Sequence, residues 1–525
     1  MLPEHPTPDD AALTRPLGGR TRRVAAAVSG LLAAATSVAV GHLVAGLVQP
    51  AASPLLAVGS TFIDLTPEWL KSFAITTFGE GDKIALLVGI AATLAVLALG
   101  IGLLGLRSRP LASAAIAAFG VVGALAAVLR PLGGPIAVLP SIVGTVAGAA
   151  VLILLIRAVT GRRGATQAPS RSRRRFLVAA AGAGALAVAS GGVGVFLSGR
   201  RAAVAAAGGG VAIPAPIDLA LPVPAGTELG LDGLTPFYTP NERFYRVDTA
   251  LEIPVIGPAD WRLRIHGMVD REVNLTLTEL LELPLIERDI TLTCVSNQVG
   301  GGYAGNARWT GVSLATVLGE AGVRPEADQI VSRSIDGMTI GTPTSVALDG
   351  RDAMLAVTMN GQPLPAVNGA PVRMIVPGLY GYVSATKWLV DIELTTFDAY
   401  DPYWVERGWA DKAPIKTMTR IDTPRPLARL ASGELAVAGV AWAQGRGIER
   451  VEVRVDEGPW QQARLAQVPS ADTWRQWVWT WPAEPGRHIL EARATDASGE
   501  TQTGDRAEPF PSGATGWHSV VVTVA

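Results

Sequence analysis

Five apolar stretches decide most of what this chain can become. Residues 24–48, 84–106, 111–129, 136–156 and 176–197 are each long enough to cross a bilayer, which takes about 20 helical residues. None has a charged residue in its interior, where an Arg or Lys would cost about 3 kcal/mol. They are expected to form an all-α transmembrane bundle of five spans over 24–198, after a cytoplasmic tail at 1–23.

The flanking charges orient the spans. Arg15, Arg20, Arg22 and Arg23 precede the first, Arg107 and Arg109 separate the second from the third, and a dense basic group runs from Arg157 to Arg175 before the fifth. The first of the other two connectors balances Lys71 and Lys83 against Asp64, Glu68, Glu80 and Asp82, and the second is the short run from Arg130 to Pro135. Basic loops stay on the cytoplasmic side, so five crossings place everything after Arg200 outside a bacterial cytoplasmic membrane. Arg200 and Arg201 run against that trend. A short helix on the membrane surface is expected to start at Thr66-Pro67-Glu68, an N-cap residue followed by Pro at the first helical position. Ser172 to Leu177 reads Ser-Arg-Arg-Arg-Phe-Leu before an Ala/Gly-rich apolar run, which resembles the twin-arginine export signal. Twin-arginine export carries folded proteins, and a cofactor inserted in the cytoplasm is the usual reason to fold first.

Beyond Arg200 the composition becomes that of a soluble protein. A chain of 525 residues exceeds what one core organises. Residues 199–240, rich in Ala, Gly and Pro, read as a linker that winds onto the next domain. Residues 241–422 mix short strands and turns with a helix at Leu314 to Ala321, the pattern of an α+β domain. Residues 423–525 alternate: Val451, Val453 and Val455 face one way and Glu452, Arg454 and Asp456 the other, and Leu490, Ala492 and Ala494 do the same. With a turn at Asp456 to Pro459, this predicts an immunoglobulin-like β-sandwich, with Trp474, Trp477, Trp479 and Trp481 in its core and rim. A net charge of -1 without a long basic face leaves no footprint for nucleic acid.

The chain has one cysteine, Cys294, so no intramolecular disulfide forms, and the thiol is buried, ligated or reactive. It ends an alternating strand, Thr-Leu-Thr-Cys-Val-Ser-Asn at Thr291 to Asn297, just before Gly300 to Gly302. A glycine turn beside a strand-end thiol lets a bulky group approach the backbone, which suits a metal or cofactor ligand. A cysteine nucleophile would need a His base. Outside the spans the histidines after Arg200 are His266, His488 and His518, and the last two fall in the sandwich.

From about Phe237 to Ala525 the sequence resembles the sulfite oxidase family of molybdenum-pterin enzymes. The resemblance is carried by Phe-Tyr-Thr-Pro-Asn at Phe237 to Asn241, the Cys294 motif, Ala-Arg-Trp-Thr-Gly-Val-Ser-Leu at Ala307 to Leu314, Asn-Gly-Ala-Pro-Val-Arg-Met-Ile-Val-Pro-Gly at Asn368 to Gly378, and Thr-Lys-Trp-Leu at Thr386 to Leu389. It implies a molybdopterin cofactor with Cys294 as the protein's thiolate on the metal. It implies that Asn241, Tyr245 and Arg246, Ser296 and Asn297, and Asn368 and Arg373 cradle the pterin, and that Ser384, Thr386 and Lys387 grip its phosphate end. Arg308 and Trp309 are the expected neighbours of the reacting centre. The sandwich would serve as that family's dimerisation domain.

The departures bear on the substrate. Sulfite-oxidising members have Arg-Asn-His where this chain has Pro240, Asn241 and Glu242, and two arginines where it has Gln298 and Val299. Asn368 stands where animal members have His and matches the periplasmic methionine sulfoxide reductase branch. Arg308 is then the nearest candidate for a compensating charge. The expected function is oxygen-atom transfer to or from a small substrate, with reduction of a sulfoxide or N-oxide as an alternative. Electrons would pass through an external carrier, a cytochrome or a quinone, because one cysteine cannot make a Cys-x-x-Cys-His haem motif and the spans hold only His42. The rival from another class is a cofactor-free envelope binding protein on the same fold.

Overall fold

The computed structural model describes residues 19–67, 70, 73, 77, 82–130, 134–160, 169–206 and 211–525, with the backbone alone at 82–83, 169–173 and 201–206. The chain divides into two units, Met1–Ala203 with Thr249–Pro254 and Val204–Asp248 with Val255–Ala525.

The first unit is helical: α1 (Gly19–Val48), α2 (Pro54–Leu65), α3 (Asp82–Arg107), α4 (Arg109–Val128), α5 (Leu139–Thr160) and α6 (Pro169–Ala206). Five of its helices are long and apolar enough to cross a membrane. They overrun the apolar windows at most ends, and α6 continues through Arg200 and Arg201, because Arg and Ala propagate a helix well. α2 was not foreseen. Thr66 caps its C-terminal end, donating its hydroxyl to the Phe62 carbonyl at 2.6 Å, and most of the helix expected from Thr66 onward lies outside the described residues, as do Arg15 and the basic residues between 161 and 168. Small residues let the helices touch. Gly30 of α1 and Gly102 of α3 leave no room for a Cβ between them, and Gly144 and Gly148 of α5 lie against Ser37 and Ala33 of α1. Large apolar side chains such as Val96, Leu125, Val146 and Val188 point outward, a surface that water does not favour.

The second unit begins with a mixed sheet in the order β2-β1-β10-β5-β6, formed by β1 (Arg262–Gly267), β2 (Val273–Thr276), β5 (Gln329–Ser334), β6 (Thr339–Pro343) and β10 (Leu389–Thr395). A second sheet joins β3 (Leu285–Thr293), β4 (Ala304–Ser313), β7 (Met354–Met359) and β8 (Gln362–Pro363), with β9 (Arg373–Ile375) on β7. β3 and β4 are a long hairpin, paired from Leu285 with Val312 to Thr293 with Ala304. Helix α7 (Leu277–Glu282) starts with a reciprocal cap between Thr276 and Glu279, and α8 (Leu314–Ala321) follows β4 where the sequence placed it.

Two further sheets close the chain. One holds β11 (Met418–Thr423), β13 (Gly433–Trp442), β16 (Arg464–Leu465) and β17 (Arg475–Ala483), and the other β12 (Arg429–Leu430), β14 (Ile448–Val455), β15 (Gln461–Gln462), β18 (Gly486–Asp496) and β19 (His518–Val524). Val451, Val453, Leu490, Ala492 and Ala494 meet Trp477 and Trp481 in one core, with Trp479 at its margin. Trp474 is elsewhere: its indole donates to the Phe237 carbonyl at 2.8 Å. β11 lies ahead of the expected boundary at 423, because Met418 to Thr423 already pairs with β13. Residues 211–240 are held along both parts. Ile217 N–H donates to the Leu285 carbonyl at 2.9 Å, and Leu229 N–H to the Gln476 side chain at 2.8 Å.

Candidate active site

The β3–β4 hairpin positions Cys294 at the first residue past β3. Its loop is a closed turn: Cys294 N–H donates to the Tyr303 carbonyl at 2.9 Å, Asn297 N–H to the Cys294 carbonyl at 3.1 Å, and Tyr303 N–H to Asn297 Oδ1 at 2.8 Å. Gly300 turns the chain at φ +78°, and the His518 ring fills the place of a Cβ there, so no side chain fits. The thiol is free and 9% exposed. Burial pushes its pKa up, while the Ser296 N–H and hydroxyl and the Lys387 ammonium act the other way.

Arg373 opens β9 and is 5% exposed, with its guanidinium 5.2 Å from the Trp309 ring centroid. Its Nη1 donates to the Asn368 carbonyl at 3.0 Å, and among the described residues neither its Nε nor Asn368 Oδ1 has a partner. Burial lowers its pKa to about 10. Tyr245 stacks on Phe244 and faces Tyr303, and burial, then Cys294, raises its pKa, so the phenol stays protonated. Lys387 donates to Asp248 at 2.7 Å, which also takes Arg246 Nε at 2.8 Å, and burial brings the Lys387 pKa down to about 8. Cys294, Tyr245, Arg373, Asn368, Lys387 and Ser296 thus gather in one region. Trp309 underlies it, fully buried, with its indole donating to the Ile290 carbonyl at 3.1 Å.

Other expected residues do not join. Arg308 neighbours Trp309 on β4 and so projects from the opposite face. There it makes a fork with Asp289 at 2.8 Å and 2.8 Å, with Glu287 at 3.6 Å, so it is not the compensating charge at the thiol. Asn241 spends its amide on Asn360, Met359 and Gln362. The Ser384 hydroxyl donates to the Leu379 and Tyr380 carbonyls, the Thr386 hydroxyl bonds that of Ser332 on β5, and Asn297 ties its own loop, so these three brace the loops around the site. Sequence reasoning missed Asp248, whose signal was a lone acid two residues after Arg246, and Tyr380. Tyr380 is buried in Gly-Leu-Tyr-Gly-Tyr, and its pKa is pushed up to about 12 by burial, with Cys294 contributing.

A buried guanidinium that pairs with no carboxylate among the described residues calls for an anion, and an orphaned amide oxygen calls for a donor. A pterin dithiolene with a phosphate brings both anionic groups and ring N–H donors, so the residues present fit it. The model for the oxidoreductase molybdopterin binding domain matches residues 250–404. Sulfite oxidase of Gallus gallus is 31% identical over 315 residues, 51% of this chain and 68% of that protein. The mitochondrial sulfite oxidase of Drosophila melanogaster is 32% identical over 308 residues, 50% of this chain and 52% of that protein, so the chain spans about half of that relative's length. Among solved structures, the sulfane dehydrogenase SoxCD of Paracoccus pantotrophus aligns with a TM-score of 0.49 at 23% identity, covering 55% of this chain and 84% of that one. The fold and site define a molybdopterin-binding oxidoreductase. The chain belongs to the sulfite oxidase family.

Proposed function

We propose that the chain is a membrane-anchored enzyme that transfers an oxygen atom to or from a small neutral substrate on the extracytoplasmic side of a bacterial cytoplasmic membrane. The five apolar helices support the anchor, and the twin-arginine pattern at Ser172 to Leu177 supports export in the folded state. Divisions at 24–198, 199–240, 241–422 and 423–525 serve anchor, tether, molybdopterin domain and immunoglobulin-like sandwich, and the sandwich pairs two copies. Molybdenum bound to the pterin and Cys294 supplies two-electron oxygen-atom exchange, and an external cytochrome or quinone carries the electrons. Cys294 fixes the metal, Arg373 and Lys387 neutralise the pterin's anionic groups, and Tyr245 stays protonated beside the thiol.

One observation carries the choice of a neutral substrate: apart from Arg373 and Lys387, which serve the pterin on this reading, the cations named at the site are already engaged. Arg308 is forked to Asp289, Arg246 is paired with Asp248, and the Lys416 ammonium donates to the Gly513 carbonyl. A turnover panel on the cofactor-loaded chain tests this, using sulfoxides and N-oxides with a reduced dye and sulfite with an oxidised one. Oxide reduction should dominate, and Cys294→Ser should abolish it while pterin, assayed after release, stays bound. Efficient sulfite oxidation with no oxide reduction would refute the substrate, and normal turnover by Cys294→Ser would refute the ligand.

A further inference from the structure

The loop that carries Cys294 is built as two turns in series. Asn297 N–H donates to the Cys294 carbonyl at 3.1 Å and Gly301 N–H to the Gln298 carbonyl at 2.8 Å, so each bond closes a four-residue turn, and the second begins where the first ends. Gly300, Gly301 and Gly302 form the tip, where the missing side chains leave the backbone its widest choice of conformations. A shift at Gly301 passes through both turns to the cysteine.

Strand β11 meets that tip through two adjacent residues. Ile421 N–H holds the His518 ring that fills the space beside Gly300, and Arg420, 9% exposed, donates Nη1 to the Gly301 carbonyl at 2.8 Å. The guanidinium is itself fixed. Its Nε donates to Asp422 at 2.6 Å and its Nη2 to the Thr235 hydroxyl at 2.9 Å, while Asp422 also accepts the Thr235 N–H at 3.1 Å. A planar fork with three engaged arms holds an acceptor in one place, which a single ammonium on a flexible stem does not. A bond from a charged donor is also stronger than one between neutral groups.

We infer that Arg420 is a positioning residue: through Gly301 and the two turns it fixes where the Cys294 thiolate is presented to the metal. This rests on the ligand assignment above. The sheets that close the chain thereby take part in the chemistry, acting on the backbone of the cysteine loop.

Cys294 is the chain's one thiol, so alkylation reports on the loop directly. In the cofactor-free full chain, iodoacetamide should modify Arg420→Lys about tenfold faster than wild type, the factor that one charge-assisted hydrogen bond contributes to holding a loop closed. Two controls separate positioning from general loosening. Thr235→Val removes another arm of the same fork and leaves Gly301 held, and Arg475→Lys removes a like fork from the Ala466 and Ile448 carbonyls. Both should react at the wild-type rate. In the molybdenum-loaded chain, the Mo(V) electron paramagnetic resonance signal of Arg420→Lys should shift in its g values, and kcat should fall with KM unchanged. The paired exchange Arg420→Gln with Asp422→Asn, which buries no charge, replaces Arg420→Lys if that variant does not fold. An unchanged alkylation rate, a resonance identical to that of the wild type, or equal acceleration in all three variants would overturn the inference. Wild-type Cys294 that alkylates as fast with molybdenum loaded as without it would instead overturn the ligand assignment.

Discussion

At Gly300 the chain turns where only hydrogen fits, because the ring of His518 occupies the space. His518 Nδ1 accepts the Ile421 N–H at 3.0 Å, which fixes a neutral ring, and burial lowers its pKa to about 4, with Arg420 adding to the effect. Protonation is therefore harder in the fold than in the unfolded chain. The stability this group contributes is complete above about pH 6.5 and is lost as pH falls toward 4, at most about 3 kcal/mol. The melting temperature of the wild type should drop more steeply between about pH 7 and pH 4.5 than that of His518→Gln; equal slopes would rule the group out as a contributor. Single residues were unequally legible in the sequence. Cys294, Tyr245, Arg373 and Lys387 stand in motifs and come together as expected. For Arg308 and Trp309, strand alternation says that one faces in and one out, but the choice depends on Asp289, which sits across the hairpin.

Strand β3 is also held by residues of the sheets that close the chain. Gln444, 1% exposed and just past β13, donates Nε2 to the Thr291 carbonyl at 2.9 Å and to the Thr293 hydroxyl at 3.1 Å. Thr291 N–H donates to the Asp472 carbonyl at 2.9 Å, and Trp474 N–H to the Thr291 hydroxyl at 2.8 Å. Gln444→Ala leaves a buried carbonyl and hydroxyl short of a donor and should destabilise the protein by about 2 kcal/mol, seen as a lower midpoint in urea. An unchanged midpoint would mean that water replaces the amide. Long alternating strands such as β14 and β18 were readable because their period is two. The two-residue strands β8, β12, β15 and β16 were not: at that length pairing comes from neighbours, not from pattern.

On the proposed topology the catalytic unit folds around its cofactor before it crosses the membrane. Replacing Arg173 and Arg174 with Lys should leave that unit in the cytoplasm, shielded from protease added to spheroplasts. Unchanged accessibility would dismiss the export signal. The five helices long and apolar enough to cross a membrane were legible because a bilayer sets a length that sequence windows measure directly. The linker was less so, since Ala, Gly and Pro reveal flexibility and not what the segment binds. Ile217 and Asp218 pair with Leu285 and Glu287 at the start of β3, and Asp218 also takes Arg288 at 2.6 Å. That segment is therefore spliced to the strand that leads into Cys294. On the proposed topology, a pull along this segment meets the backbone bonds of Ile217 and Asp218 at the start of β3, a full strand length ahead of Cys294.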